Sequence, residues 1–116
     1  MTPEPDAYES LRRLRDQAEA QLAALEADLR GLFEASRSSN ADDEHDPEGA
    51  TIAFERAQLT AVLEATRRQL TELDSALARW VEGTYGICED CGRPIPPERL
   101  AARPSARTCV GCAGRR

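Results

Sequence analysis

Four cysteines are the residues of this chain best equipped to do chemistry. Cys88 and Cys91 form one Cys-x-x-Cys pair, Cys109 and Cys112 form a second, and 17 residues separate the two. Each pair lets two thiolates from one turn reach the same ion at about 2.3 Å, and the intervening loop brings the other pair round to close a tetrahedron. Four protein ligands leave no open position for water. The chemistry implied is therefore structural, and zinc would supply on the order of 10 kcal/mol toward ordering a small module. Two disulfides or a redox dithiol are the other readings of the same residues. Disulfides suit an exported chain, and thioredoxin-type sites use a single Cys-x-x-Cys in a βαβ setting that this sequence lacks.

A second cluster, Asp42, Asp43, Glu44, His45, Asp46 and Glu48, holds crowded carboxylates and the one histidine of the chain. It could ligate a metal, line a solvated loop or form a contact surface. Calcium-loop spacing, with a glycine at its sharp turn and a distant bidentate glutamate, is missing. Charge runs of this kind usually face water.

The elements that must position these groups are helical. The chain is 41% hydrophobic but only 4% aromatic, and its Ala, Leu, Glu, Arg and Gln are strong helix formers spread over long windows. From about Tyr8 to Arg37 the apolar positions Leu11, Leu14, Ala18, Leu22, Leu25, Leu29 and Leu32 recur at steps of three and four. A second stripe runs through Ile52, Leu59, Leu63, Thr66, Leu70, Leu73, Leu77 and Trp80, close to a coiled-coil seam. Neither stripe can be buried by its own helix. The short polar segment between them predicts an antiparallel hairpin, with a tip loop at about 38–48.

Asp46 followed by Pro47 reads as an N-cap with proline in the first turn, so the second helix is expected to start there and to run about 54 Å to Glu82. Gly83 and Gly86 then end the periodicity. The predicted fold is mainly α: a long two-helix coiled-coil hairpin over 1–83, followed by a four-cysteine zinc finger over 84–116. The finger has few large apolar residues, chiefly Ile87, Ile95, Leu100 and Val110, so a cross-link must hold it. Trp80, Val81 and Tyr85 fall where hairpin and finger should pack together.

Composition narrows the partners. Fifteen basic residues, all arginine, stand against 21 acidic ones for a net charge of -6, which argues against general affinity for the nucleic-acid backbone. No apolar run approaches the ~18 residues of a membrane span, and Met1 to Leu11 lacks the pattern of a signal peptide, so cytoplasmic residence is expected. Neither a nucleophile paired with a base nor a phosphate-binding loop is present, and no enzymatic activity is expected.

The residues around the cysteines carry a more specific likeness. The stretch "GTYGICEDCGRPIPPERLAARPSARTCVGC" resembles the finger of the DksA/TraR family of bacterial RNA polymerase-binding regulators. The matching positions run from Gly83, Tyr85 and Gly86, through Gly92 and Ile95, to Arg99, Leu100, Ala102 and Pro104. The preceding helical pair fits that family as well. The resemblance implies that the hairpin enters the polymerase secondary channel, that its acidic tip alters promoter complexes, and that no DNA sequence is read. It also implies coupling to the alarmone ppGpp at the polymerase interface, and a monomer is the expected state.

On this likeness Asp42, Asp43, Glu44, Asp46 and Glu48 become the effector tip. The family's tip has two aspartates three residues apart, followed by an alanine. Asp46 and Pro47 align with the first aspartate and its proline, but Gly49 stands at the second acidic position and Thr51 at the alanine. A shifted match on Asp43 and Asp46 displaces the proline and puts Glu48 at the alanine. The departure bears on regulatory output and on ppGpp dependence. The competing reading is a zinc-ribbon module for nucleic-acid or protein binding; it predicts duplex binding that weakens steeply with salt.

Overall fold

The computed structural model describes residues 5–39 and 47–115. Two long helices dominate them: α1, Pro5–Ser39, and α2, Pro47–Glu82. Proline stands first in each, where a missing N–H costs nothing because that donor would have no intrahelical partner. Asp6 in the first turn of α1 and Arg37 in its last turn match the sign of the helix dipole. Two short helices follow, α3 at Pro97–Ala102 and α4 at Val110–Ala113. There is no strand among the described residues, only an isolated antiparallel bridge between Ile87 and Pro94.

The two apolar stripes meet. Every stripe residue expected from the sequence is buried or half-buried, while most positions between them are exposed. The pairing is antiparallel within each of the two compact units, which are Ala18–Gln69 and Met1–Gln17 with Leu70–Arg116. In the first unit Arg67 reaches Glu26 at 3.3 Å, and the Arg56 guanidinium lies 5.4 Å from the centre of the Phe33 ring. Ala18, Leu63 and Thr66 are the buried positions among the described residues of this unit. Thr66 fits an apolar seam because its hydroxyl donates to the Val62 carbonyl one turn back, at 2.9 Å.

In the second unit Leu11, Leu73 and Ala76 form the helix-pair core, and the Arg15 Nε donates to Asp74 at 2.9 Å beside it. The Trp80 ring stands between Tyr8 and Tyr85, with centroids 5.5 and 5.6 Å away. That apolar contact was expected of Trp80 and Tyr85, but not its third member. Val81 departs from expectation, since it is 78% exposed. Adjacent residues on a helix point about 100° apart, so Trp80 and Val81 cannot both face the same neighbour, and Trp80 takes the inward direction.

α2 stops through backbone geometry. The Gly83 N–H donates to Trp80 O at 3.1 Å and the Thr84 N–H to Arg79 O at 2.9 Å, the paired bonds of a Schellman cap. That cap needs a left-handed residue, and Gly83 supplies it with φ +83°. Gly86 repeats the same φ three residues on and turns the chain into the first cysteine pair. The finger core is small: Cys88, Ile95 and Cys112, with Leu100 and Cys109 packed against them. Ile87 and Val110, two of the few large apolar residues of this segment, are exposed, Val110 by 64%.

Candidate metal centre

The first cysteine pair sits on a tight turn. The Gly92 N–H donates to Cys88 O at 2.9 Å, and the Cys88 N–H donates to Arg93 O at 2.8 Å. The second pair is built differently, on a single helical turn. Cys109 is the N-cap of α4 and Cys112 lies inside it, with the Ala113 N–H donating to Cys109 O at 2.9 Å. The two pairs are joined by the Glu89 N–H, which donates to Arg107 O at 2.9 Å. A turn and a helix start therefore face each other across the four sulfurs.

All four Sγ atoms lie within 4.8 Å of one another, and Cys91 and Cys109 stand 3.9 Å apart. A regular tetrahedron with metal–sulfur bonds near 2.3 Å has sulfur–sulfur edges of about 3.8 Å. A disulfide needs about 2.05 Å, and all four cysteines are free. The donor set thus fits one thiophilic cation. Cys88 and Cys112 are buried, Cys109 is half-buried and Cys91 is exposed, so the site is walled on the core side and open on the other.

The backbone favours thiolate at two of these sulfurs. The Cys91 N–H holds the Cys88 thiol down at about 6, against the opposing effect of burial, with the Cys109 and Asp90 N–H groups assisting. The Cys112 N–H in the first turn of α4 likewise lowers Cys109. Cys112 is pushed up to about 12 because it shares hydrogen bonds with the Cys109 and Cys88 sulfurs, and burial adds to this. Four negative sulfurs this close cannot all ionise alone. A dication held by Cys88, Cys91, Cys109 and Cys112 would supply the missing charge, and its uptake would release protons.

The remaining finger residues buttress this arrangement. The Arg99 Nε donates to Thr108 O at 2.7 Å, beside the second pair. The Tyr85 hydroxyl donates to Pro104 O at 2.8 Å. On α2, Ser75 Oγ accepts from Arg79 at 2.7 Å and from Arg107 at 2.9 Å, and Arg107 also reaches Glu72 at 3.2 Å. The sequence reading passed over this polar set. Its signal was present: Glu72, Ser75 and Arg79 recur at steps of three and four along one edge of the α2 stripe.

Of the expected effector tip, Asp42, Asp43, Glu44 and Asp46 lie outside the described residues, as does His45. Glu48 is on the first turn of α2, but its side chain is outside them too.

Comparison with known proteins agrees with this geometry. Residues 83–116 match the model of the prokaryotic dksA/traR C4-type zinc finger. General stress protein 16O of Bacillus subtilis is 40% identical over 77 residues, which cover 66% of this chain and 47% of that protein. The RNA polymerase-binding transcription factor DksA of Caulobacter vibrioides is 39% identical over 61 residues, or 53% of this chain and 43% of its own. The structure of transcription factor DksA2 from Pseudomonas aeruginosa superposes with a TM-score of 0.60 at 28% identity, covering 97% of this chain and 84% of that one. The finger is that of the DksA/TraR family, and the chain as a whole is similar to DksA proteins in sequence and fold. Its matches span less than half the length of these curated relatives. As in that family, a four-cysteine zinc finger follows a helical hairpin.

Proposed function

We propose that this protein is a non-enzymatic transcription regulator that binds RNA polymerase, inserts the tip of its hairpin into the secondary channel and alters promoter complexes. The observation that carries the reading is the joint match of finger and hairpin to proteins whose names state transcription and RNA polymerase binding. In this reading Cys88, Cys91, Cys109 and Cys112 hold a structural zinc ion, which contributes folding energy and no reaction step. The protein acts as a cytoplasmic monomer and reads no DNA sequence. No helix is long and apolar enough to cross a membrane among the described residues.

Charge distribution supports a basic protein partner. Residues 18–69 hold eleven acids against five arginines, whereas the rest of the chain holds ten of each. The whole net charge of -6 therefore belongs to the unit that leads to and from the tip. Long-range attraction to a channel lined by basic groups raises the encounter rate and orients the approach. Phe33, Phe54 and Val62 are exposed in the same unit, giving apolar contacts for the bound state.

Site-specific cross-linking tests the proposal. A photoreactive group at position 46 is expected to label polymerase residues near the catalytic magnesium, and a known secondary-channel factor should suppress the labelling. Labelling elsewhere on polymerase, or duplex DNA binding by the isolated protein, would sink the proposal. Repeating the transcription assay with and without ppGpp reads the coupling directly.

A further inference from the structure

We infer that Arg107 and Arg79 link the zinc centre to the last turns of α2, so that zinc occupancy and helix stability are one coupled equilibrium. The inference rests on the zinc reading of the four cysteines. Arg107 is two residues before Cys109, and its carbonyl accepts from Glu89, inside the first cysteine pair. Its side chain is shared between the two elements. Nε and one terminal nitrogen reach Glu72 at 3.2 Å and Ser75 at 2.9 Å on α2, and the other terminal nitrogen lies 3.7 Å from the Glu89 carboxylate.

Arg79 completes the link from the helix side. It donates to Ser75 Oγ at 2.7 Å and to the Ser105 carbonyl at 3.3 Å, and it is 8% exposed. A buried guanidinium deprived of its partners is costly. If the cysteine pairs separate, Arg107 loses its fixed position and the 105–107 segment no longer presents the Ser105 carbonyl to Arg79. The finger cannot hold that segment through its own few buried side chains. Zinc loss should therefore loosen α2 above its Schellman cap. Coupling free energy is reciprocal, so the α2 contacts must raise zinc affinity although none of them touches the ion. Arg107 and Arg79 are positioning residues in this scheme.

Zinc affinity of the full chain, read by competition with a chromogenic chelator, tests the coupling together with helix melting by far-ultraviolet circular dichroism. Arg107→Ala, and independently Glu72→Gln with Ser75→Ala on α2, should each weaken zinc binding by about tenfold, the scale of supporting-residue effects at metal sites. Arg107→Lys keeps the charge but not the planar fork, and should fall between Arg107→Ala and the wild type. Chelating the zinc should lower the melting temperature of the wild-type helices more than that of Arg107→Ala. Combining Glu72→Gln with Arg107→Ala should cost little more than Arg107→Ala alone. Zinc affinity within twofold of wild type in the α2 variants, or equal chelation shifts in all variants, overturns the coupling. Should the wild type fail to bind one zinc per chain, the zinc reading falls instead.

Discussion

Tyr85 shows how much one polar atom can hold in a finger with so small a core. Its ring is buried, and its hydroxyl donates to Pro104 O at 2.8 Å, closing the loop that precedes the second cysteine pair. Tyr85→Phe should cost about 1–2 kcal/mol, because it leaves a carbonyl without its donor while changing shape little. Urea denaturation would read this as a lower midpoint at unchanged slope. Burial raises the phenol above its ordinary 10, with Arg79 opposing. The folded protein therefore holds that proton more tightly than the unfolded chain. The stability it contributes is complete below the unfolded value and is lost as pH rises through the folded one. A Tyr85→Phe variant should accordingly lack part of the alkaline loss of stability seen in the wild type. At the cysteines, Cys91→Ser removes one thiolate from the exposed side of the cluster. Cobalt titration should then lose the thiolate-to-metal absorption of a four-sulfur site, and the helices should melt at a lower temperature than in the wild type. Retention of that absorption unchanged would mean that Cys91 is not a ligand.

At the scale of elements, α1 tolerates a residue that its propensity disfavours. Gly31 lies inside the helix, is exposed, and an added Cβ would meet nothing within 4 Å. Gly31→Ala should stabilise the protein by about 1 kcal/mol, seen as a higher denaturation midpoint. Gly83→Ala should do the opposite by a similar amount, because φ +83° strains any residue with a Cβ and the cap of α2 depends on it. The helices themselves were legible: stripe residues such as Leu11, Leu63 and Leu73 are buried as their spacing requires. Pro47 announced the start of α2 and Gly83 its end. What the sequence could not reveal was how a few residues would divide a small interior. Ile87 and Val110 are as apolar as Ile95, yet only Ile95 is buried, because the cysteine turns fix which way each neighbour points. Nor could composition distinguish the half-buried Ser75 or the buried Arg79 from the polar residues that face water; that depends on Arg107 arriving from a distant part of the chain.

For the whole molecule, the question is whether the excess acid of residues 18–69 acts as bulk charge or through particular carboxylates. Bulk charge would steer the protein toward a basic channel from beyond contact range, and its effect would be screened over about 10 Å at 0.1 M salt. A carboxylate placed at the catalytic centre would act at contact and persist in salt. On the proposed reading Asp46 and Gly49 separate the two cases, because Asp46 directly precedes the proline that starts α2 while Gly49 stands where the resemblance implies a second tip acid. Asp46→Ala should leave polymerase binding within a few-fold of wild type and remove most of the effect on promoter-complex lifetime. Asp42→Asn with Asp43→Asn removes more charge, and should slow association at low salt while sparing the effect once bound. Gly49→Asp should strengthen the effect and, by restoring the two-aspartate spacing, increase the response to added ppGpp. Equal losses from Asp46→Ala and from the Asp42, Asp43 pair, both vanishing at high salt, would make the tip a steering charge and leave Gly49 without regulatory meaning.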